Sequence, residues 1–263
     1  MSSIILATII VGAIGLIAGV GLSVSSVLFA VKSDETVEKL RAEMPGANCG
    51  ACGYSGCDGY AEALAKGECK PGLCAPGGAS VNEKLGEILG IGVNLCEPMA
   101  AVVLCNGTTE HVGKKTVYSG VMTCKAVNSL YAGNLDCSYA CLGYGDCARA
   151  CMFDAITVEN GRAYVDKTKC TGCSACVKAC PKGIISLLPA DIKEVVICSN
   201  KDKGAETRKL CDVGCIGCMR CVKACEYDAV HVEENLAVID PAKCTACGRC
   251  YEVCPVKCIH IGK

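Results

Sequence analysis

The sequence predicts an α+β protein in three parts: one membrane-crossing helix at the N-terminus, a small four-cysteine domain, and a cysteine-rich module in two tandem copies. Three observations predict it. The first 31 residues carry no charged side chain. Cysteine supplies 27 of the 263 residues, mostly in tight C-x-x-C runs. The cysteine pattern that begins at Cys141 begins again at Cys215, a shift of 74 that also holds for Cys147/Cys221, Cys151/Cys225, Cys170/Cys244 and Cys180/Cys254. Constant spacing over that length marks one unit copied twice.

The opening segment, MSSIILATIIVGAIGLIAGVGLSVSSVLFAV, exceeds the about 20 apolar residues that cross a bilayer. A cleaved signal peptide would want Lys or Arg near its start and an apolar region of about 7–15 residues. This segment has neither, so it reads as a retained anchor. Gly12, Gly15 and Gly19 offer a small-residue face for close helix packing. Lys32, Lys39 and Arg41 follow, mixed with Asp34 and Glu35, so charge alone orients the helix weakly. Reduced thiols belong in the cytoplasm. That places the N-terminus outside and the bulk inside, single-pass in the cytoplasmic membrane.

One Cys in ten residues usually marks a short, secreted disulfide scaffold. This chain is long, its Cys count is odd, and its C-x-x-C runs suit metal chelation. Trp is absent and Phe occurs twice, too few aromatics for the core of a chain this size, so metal clusters are expected to fill the interior. A net charge of −1 with no basic run argues against nucleic acid. No G-x-G-x-x-G follows a strand, and there is no P-loop, H-E-x-x-H or Ser–His–Asp set. No catalytic residue is therefore assigned to this chain, and any hydride chemistry belongs to a partner.

Within each copy, a Cys run leads into an apolar strand, Ala155 to Glu159 or Ala229 to Glu233. A turn and a return strand follow. Asn160-Gly161 is a strong hairpin signal and Glu234-Asn235 a weaker one. The pattern C-x2-C-x2-C-x3-C-P stands intact at Cys170, Cys173, Cys176, Cys180 and at Cys244, Cys247, Cys250, Cys254. This resembles the bacterial two-cluster ferredoxins. The resemblance implies that three closely spaced thiolates hold one [4Fe-4S] cluster while the fourth caps its neighbour. On that rule Cys215, Cys218, Cys221 and Cys254 form one set. Cys244, Cys247, Cys250 and Cys225 form another, and Cys170, Cys173, Cys176 and Cys151 a third. Cys141, Cys147 and Cys180 are one ligand short, because Tyr144 stands where the second copy has Cys218. Zinc also uses C-x2-C pairs, but consecutive triplets ending in C-P point to iron–sulfur clusters.

Nearer the anchor, Cys49, Cys52, Cys57 and Cys74 follow the spacing C-x2-C-x4-C-x16-C, with Cys69 off the pattern. The set resembles the small four-Cys iron–sulfur domain shared by corrinoid iron–sulfur proteins and the B subunit of the Rnf complex. Four Cys alone also suit tetrahedral zinc. Residues 33–46 read as an exposed helix with Ser33 as N-cap and Pro45-Gly46 as the stop, 53–68 as a helix after the triplet, and 82–95 as an amphipathic helix.

Five cysteines remain in suggestive contexts: Cys105, Cys124, Cys137, Cys198 and Cys211. One of them is expected to fill the vacancy beside Tyr144, with Cys137 nearest in sequence. The other four would make a sixth cluster, or serve as buried small hydrophobes, which leaves five. Cys69, Cys96 and Cys258 read as ordinary thiols. His111, His231 and His260 read as surface or structural.

The order of anchor, four-Cys domain and ferredoxin-like module resembles the Rnf B subunit over almost the whole chain, in a long form with a duplicated module. The expected boundaries are 1–31, 32–95, a connector 96–136, module 137–190, a connector 191–214 and module 215–263. The resemblance implies an electron-transfer subunit of a translocase, fed by soluble reduced ferredoxin and delivering to the membrane core, with the 49–74 cluster on the exit side. Its partners would be membrane lipid and the other membrane and peripheral subunits. Ion movement would occur elsewhere, since the anchor holds no intramembrane charge. Rival readings are a related complex that reduces a redox-sensing transcription factor, a self-contained reductase, and a zinc-stabilised assembly protein.

Overall fold

A computed structural model describes residues 2–28, 34–93 and 97–261. Helix α1, Ser2–Leu28, is about 40 Å long at 1.5 Å per residue, more than the about 30 Å of a hydrocarbon core. Its most apolar window, Thr8–Ser25, has none of its residues buried. An apolar helix without a protein face suits lipid.

Ser33 lies outside the described residues. Helix α2 (Glu35–Glu43) is capped by Asp34, whose carboxylate accepts from the Thr36 N–H at 3.0 Å. It is not exposed all round. Leu40 is 0% exposed and Met44 is buried, packed with Tyr60 and Leu64 of α3 (Cys57–Ala65) and Leu85 of α4 (Gly78–Leu89). Helix α4 starts four residues before the expected 82 and ends at Gly90, whose left-handed φ of 66° closes it. Residues 94–96 lie outside the described residues.

The stretches expected as connectors, 96–136 and 191–214, each supply the first strand of a module. Strand β1 (Met99–Val103) pairs antiparallel with β4 (Ile185–Pro189), and β5 (Glu194–Val196) with β8 (Ile259–Ile261). Between them lie the hairpins β2 (Ile156–Glu159) with β3 (Arg162–Val165), and β6 (Val230–Glu233) with β7 (Leu236–Ile239). Both turn residues are left-handed in each: Asn160 and Gly161 at φ 49° and 75°, Glu234 and Asn235 at 46° and 65°. That is the geometry a two-residue hairpin prefers. Glu at such a position is unusual. An ion pair to Lys201 and a 3.1 Å bond from Asn235 Nδ2 to the Lys201 carbonyl hold the turn.

Short helices carry or precede the cysteines: α5 (Cys124–Asn128), α6 (Asp146–Arg149), α7 (Ala175–Ala179), α8 (Gly204–Leu210, ending at Cys211), α9 (Arg220–Ala224) and α10 (Arg249–Val253). Val103 pairs with Ile185 and Val196 with Ile259. Cys105 and Cys198, each two residues beyond, therefore occupy corresponding places. Cys124, 74 positions before Cys198, instead opens α5. The core of the first module interleaves Val103, Val112, Ile156 and Ile185 with Cys105, Cys137, Cys141, Cys147, Cys176 and Cys211. Thiols fill the places that aromatics would otherwise take.

Candidate metal centres

Each C-x-x-C-x-x-C loop, and the first loop with Tyr144 in place of its middle Cys, has left-handed residues on both sides of its second position: Gly143 and Gly145, Gly172 and Ser174, Gly217 and Met219, Ala246 and Gly248. Such alternation turns backbone N–H groups into a concave, anion-binding nest. Gly143 and Gly217 have a second reason to be glycine. A Cβ there would stand 2.5 Å from the Gly161 carbonyl oxygen or 2.7 Å from that of Asn235, so each loop seats directly on its hairpin turn. The next Cys enters a short helix, and Cys180, Cys225 and Cys254 end α7, α9 and α10 in extended conformation.

This geometry gathers thiols around cavities. One is lined by Cys124, Cys141, Cys147 and Cys180. One is lined by Cys151, Cys170, Cys173 and Cys176. One is lined by Cys215, Cys218, Cys221, Cys254 and Cys258. Among the described residues no three Cys, His, Asp or Glu side chains converge on one metal ion. Sets made only of cysteine, in low-dielectric surroundings, fit a polynuclear iron–sulfur group. No described cysteine is in a disulfide.

The thiol beside Cys141, Cys147 and Cys180 is Cys124, which corrects the expectation for Cys137. Asp146 explains the placement: its two carboxylate oxygens accept from the Cys124 and Lys125 N–H groups at 3.0 and 2.9 Å. Thr123 caps the same turn through the Ala126 N–H. The Tyr144 hydroxyl instead accepts from Asn134 Nδ2 at 3.2 Å. Burial, with Cys141, Cys124 and Cys180 alongside, pushes the Cys147 thiol up to about 12.

Cys137 belongs with Cys105, Cys198 and Cys211, all four buried. The Cys105 sulfur accepts from the Cys141 N–H, and the Cys198 sulfur from the Cys215 N–H, both at 3.3 Å. Val112 and Cys211 form a β-bridge. A Cβ on Gly107 would lie 3.6 and 3.8 Å from the Cys211 and Cys105 sulfurs. Burial raises Cys198 to about 12 and Cys211 to about 11. Without metal Cys198 and Cys211 keep their protons at neutral pH, and each thiolate–metal bond displaces one.

Cys244 and Cys250 meet at Glu194 of β5, with Cys225 near Cys244. Glu194, 3% exposed, accepts from the Gly248 N–H at 2.6 Å, and its other oxygen lies 3.1 Å from the Cys244 sulfur and 3.5 Å from that of Cys250. Burial and this carboxylate push Cys250 up to about 12. The sequence carried no signal for Glu194, because its role depends on the pairing of β5 with β8. Cys258 is also more than an ordinary thiol. Its sulfur lies 3.7 Å from that of Cys254, and its S–H holds Cys254 down to about 5. The first copy has Ile184 at the same place.

In the N-terminal domain Cys49, Cys52 and Cys57 crowd Cys74, whose thiol is raised chiefly by burial. Cys69 instead lies beside Tyr54 and raises its hydroxyl above the usual phenol range. The clamp is Asn82, 3% exposed. Its oxygen accepts from the N–H groups of Gly72 and Cys74 at 3.1 and 3.2 Å, and its amide donates to the carbonyls of Cys74 and Gly78 at 2.9 and 2.6 Å. Asn82→Ala is expected to cost about 3 kcal/mol, since it strips partners from buried backbone groups, and to loosen the Cys74 loop. Thermal unfolding and iron retention check it. An unchanged Tm with full iron would refute the clamp. The three histidines stand apart from the thiols: His111 pairs with Asp212, His231 with Glu233, and His260 lies in β8.

Comparisons with known proteins agree with this geometry. Residues 44–76 match the family model described as "Putative Fe-S cluster", 163–186 a 4Fe-4S binding domain, and 210–261 a 4Fe-4S dicluster domain. The B subunit of the Na(+)-translocating ferredoxin:NAD(+) oxidoreductase complex of Acetobacterium woodii is 43% identical, over 93% of this chain and 74% of its own length. Its counterpart in the proton-translocating ferredoxin:NAD(+) oxidoreductase complex of Clostridium ljungdahlii is 39% identical over 93% and 87%. The B subunit of an ion-translocating oxidoreductase complex from Methanosarcina acetivorans is 38% identical over 93% of each chain. This chain belongs to the B subunits of the ion-translocating ferredoxin:NAD+ oxidoreductase complexes, as an iron–sulfur electron-transfer subunit of the Rnf type.

Proposed function

We propose that this chain holds six [4Fe-4S] clusters and passes electrons from soluble reduced ferredoxin to the membrane core of its complex. The observation that carries this is the crossing of thiol sets between neighbouring runs, with Cys151 joining Cys170, Cys173 and Cys176, and Cys254 joining Cys215, Cys218 and Cys221. The remaining sets are Cys124, Cys141, Cys147, Cys180; Cys225, Cys244, Cys247, Cys250; Cys105, Cys137, Cys198, Cys211; and Cys49, Cys52, Cys57, Cys74. Each cluster, when bound, takes up and releases one electron. The chain's own residues hold it, bury it, and direct N–H and S–H groups at the thiolate sulfurs, which sets how readily it is reduced. Helix α1 spans the cytoplasmic membrane once, with the cysteine-rich bulk on the cytoplasmic side, in contact with lipid and the other subunits. The 49–74 set, nearest the anchor, is the exit side.

Iron, acid-labile sulfide and zinc per chain, measured on anaerobically purified full-length protein, test this. Six cubanes predict about 24 iron and about 24 sulfide with negligible zinc. A value near 16 to 20 would remove one or two clusters, and stoichiometric zinc with little sulfide would sink the reading.

A further inference from the structure

The set Cys105, Cys137, Cys198, Cys211 differs from the others in origin. Cys105 follows β1 of the first module and Cys198 follows β5 of the second. One side chain reaches across that joint. Asn200 is 1% exposed and commits its polar atoms in three directions. Its Nδ2 points at the Cys137 sulfur at 3.6 Å, its backbone N–H donates to the Cys198 sulfur at 3.4 Å, and its Oδ1 accepts from the Asp202 N–H at 2.6 Å. A buried amide is costly unless its hydrogen bonds are made, and here one partner is a thiol of the other module.

The repeat supplies an internal control. Asn200 lies two residues beyond Cys198. Two residues beyond Cys105 stands Gly107, where a Cβ would meet a Val112 methyl at 2.6 Å. The first copy therefore has no room for a counterpart, and the second copy alone sends an amide to the joint.

We propose that Asn200 is a positioning residue that raises the reduction potential of the centre between the two modules, through its side-chain hydrogen bond to Cys137. This rests on the assignment of a cluster to these four thiols. Reduction adds negative charge to the cluster and its thiolates, so a donor aimed at sulfur stabilises the reduced form more than the oxidised one. Low-dielectric surroundings strengthen that effect.

The test uses anaerobic full-length protein, with iron content and an EPR-monitored redox titration. Asn200→Asp keeps the size and the acceptor for the Asp202 N–H but turns a carboxylate oxygen toward Cys137. Asn200→Leu removes the amide at similar volume. The expected result is wild-type iron with one signal harder to reduce by at least tenfold, about 59 mV for one electron. That signal should be the one missing from Cys137→Ala, with the others unmoved. Full iron with unmoved potentials in both variants would overturn the proposal, as would loss of four irons in both, which would make Asn200 a structural clamp only. If Cys137→Ala itself keeps all its iron, the cluster assignment fails, a result distinct from either.

Discussion

Cys124→Ala is expected to cost one whole cluster, about four irons per chain, while Cys69→Ala costs none. Cys124 lines the cavity with Cys141, Cys147 and Cys180, and Tyr144, the residue at the place of Cys218, spends its hydroxyl on Asn134. Asp146→Ala should give a partial version of the same loss. It removes the acceptor from two N–H groups at the start of α5, and a five-residue helix has little stability of its own to hold Cys124 in place. Cys137→Ala is expected to remove a different cluster, so the double variant Cys124→Ala/Cys137→Ala should lose about eight irons. Iron analysis with EPR spin counting on the anaerobic proteins decides it. A Cys124→Ala protein with its full iron would show that another group completes that set.

Removing residues 1–33 is expected to move the chain from the membrane fraction to the soluble fraction when it is expressed without the other subunits. Each Leu, Ile or Val at the centre of a spanning helix contributes about 0.3–0.6 kcal/mol to insertion, and α1 is dominated by such residues without one charge to oppose them. No assigned ligand lies in α1, so the truncated chain should keep its iron. Continued sedimentation with membranes after a carbonate wash would mean that the anchor lies elsewhere. Loss of iron on truncation would mean that α1 supports the 49–74 domain.

The hairpins were legible from Asn160-Gly161, Glu234-Asn235 and the apolar strands before them, because both partners lie within a dozen residues. The strands β1 and β5 were not, since each pairs with a strand at the far end of its module, and residues 96–136 and 191–214 carry no local signal of that closure. Nearness in sequence favoured Cys137 for the place beside Tyr144, and the fold puts Cys124 there. The shift of 74 sets Cys124 against Cys198, yet Cys198 follows a strand and Cys124 opens a helix tied down by Asp146. Cys105, 93 positions earlier, is the true counterpart of Cys198.

Spacing by itself marked the C-x2-C runs as candidate ligand sets, because thiolates two or three residues apart can converge on one centre whatever surrounds them. Hydropathy determined the anchor in the same local way. Tertiary structure alone placed Cys124 beside Cys141, Cys147 and Cys180, brought Asn200 to Cys137 and Cys198, and decided which polar side chains face sulfur. Asp146, Glu194 and Asn200 act across distances that only the folded chain closes. The physical reason is that each C-x2-C run is short-range in sequence, whereas the thiol that completes a set and the hydrogen bonds that position and tune it come from whichever element packs alongside.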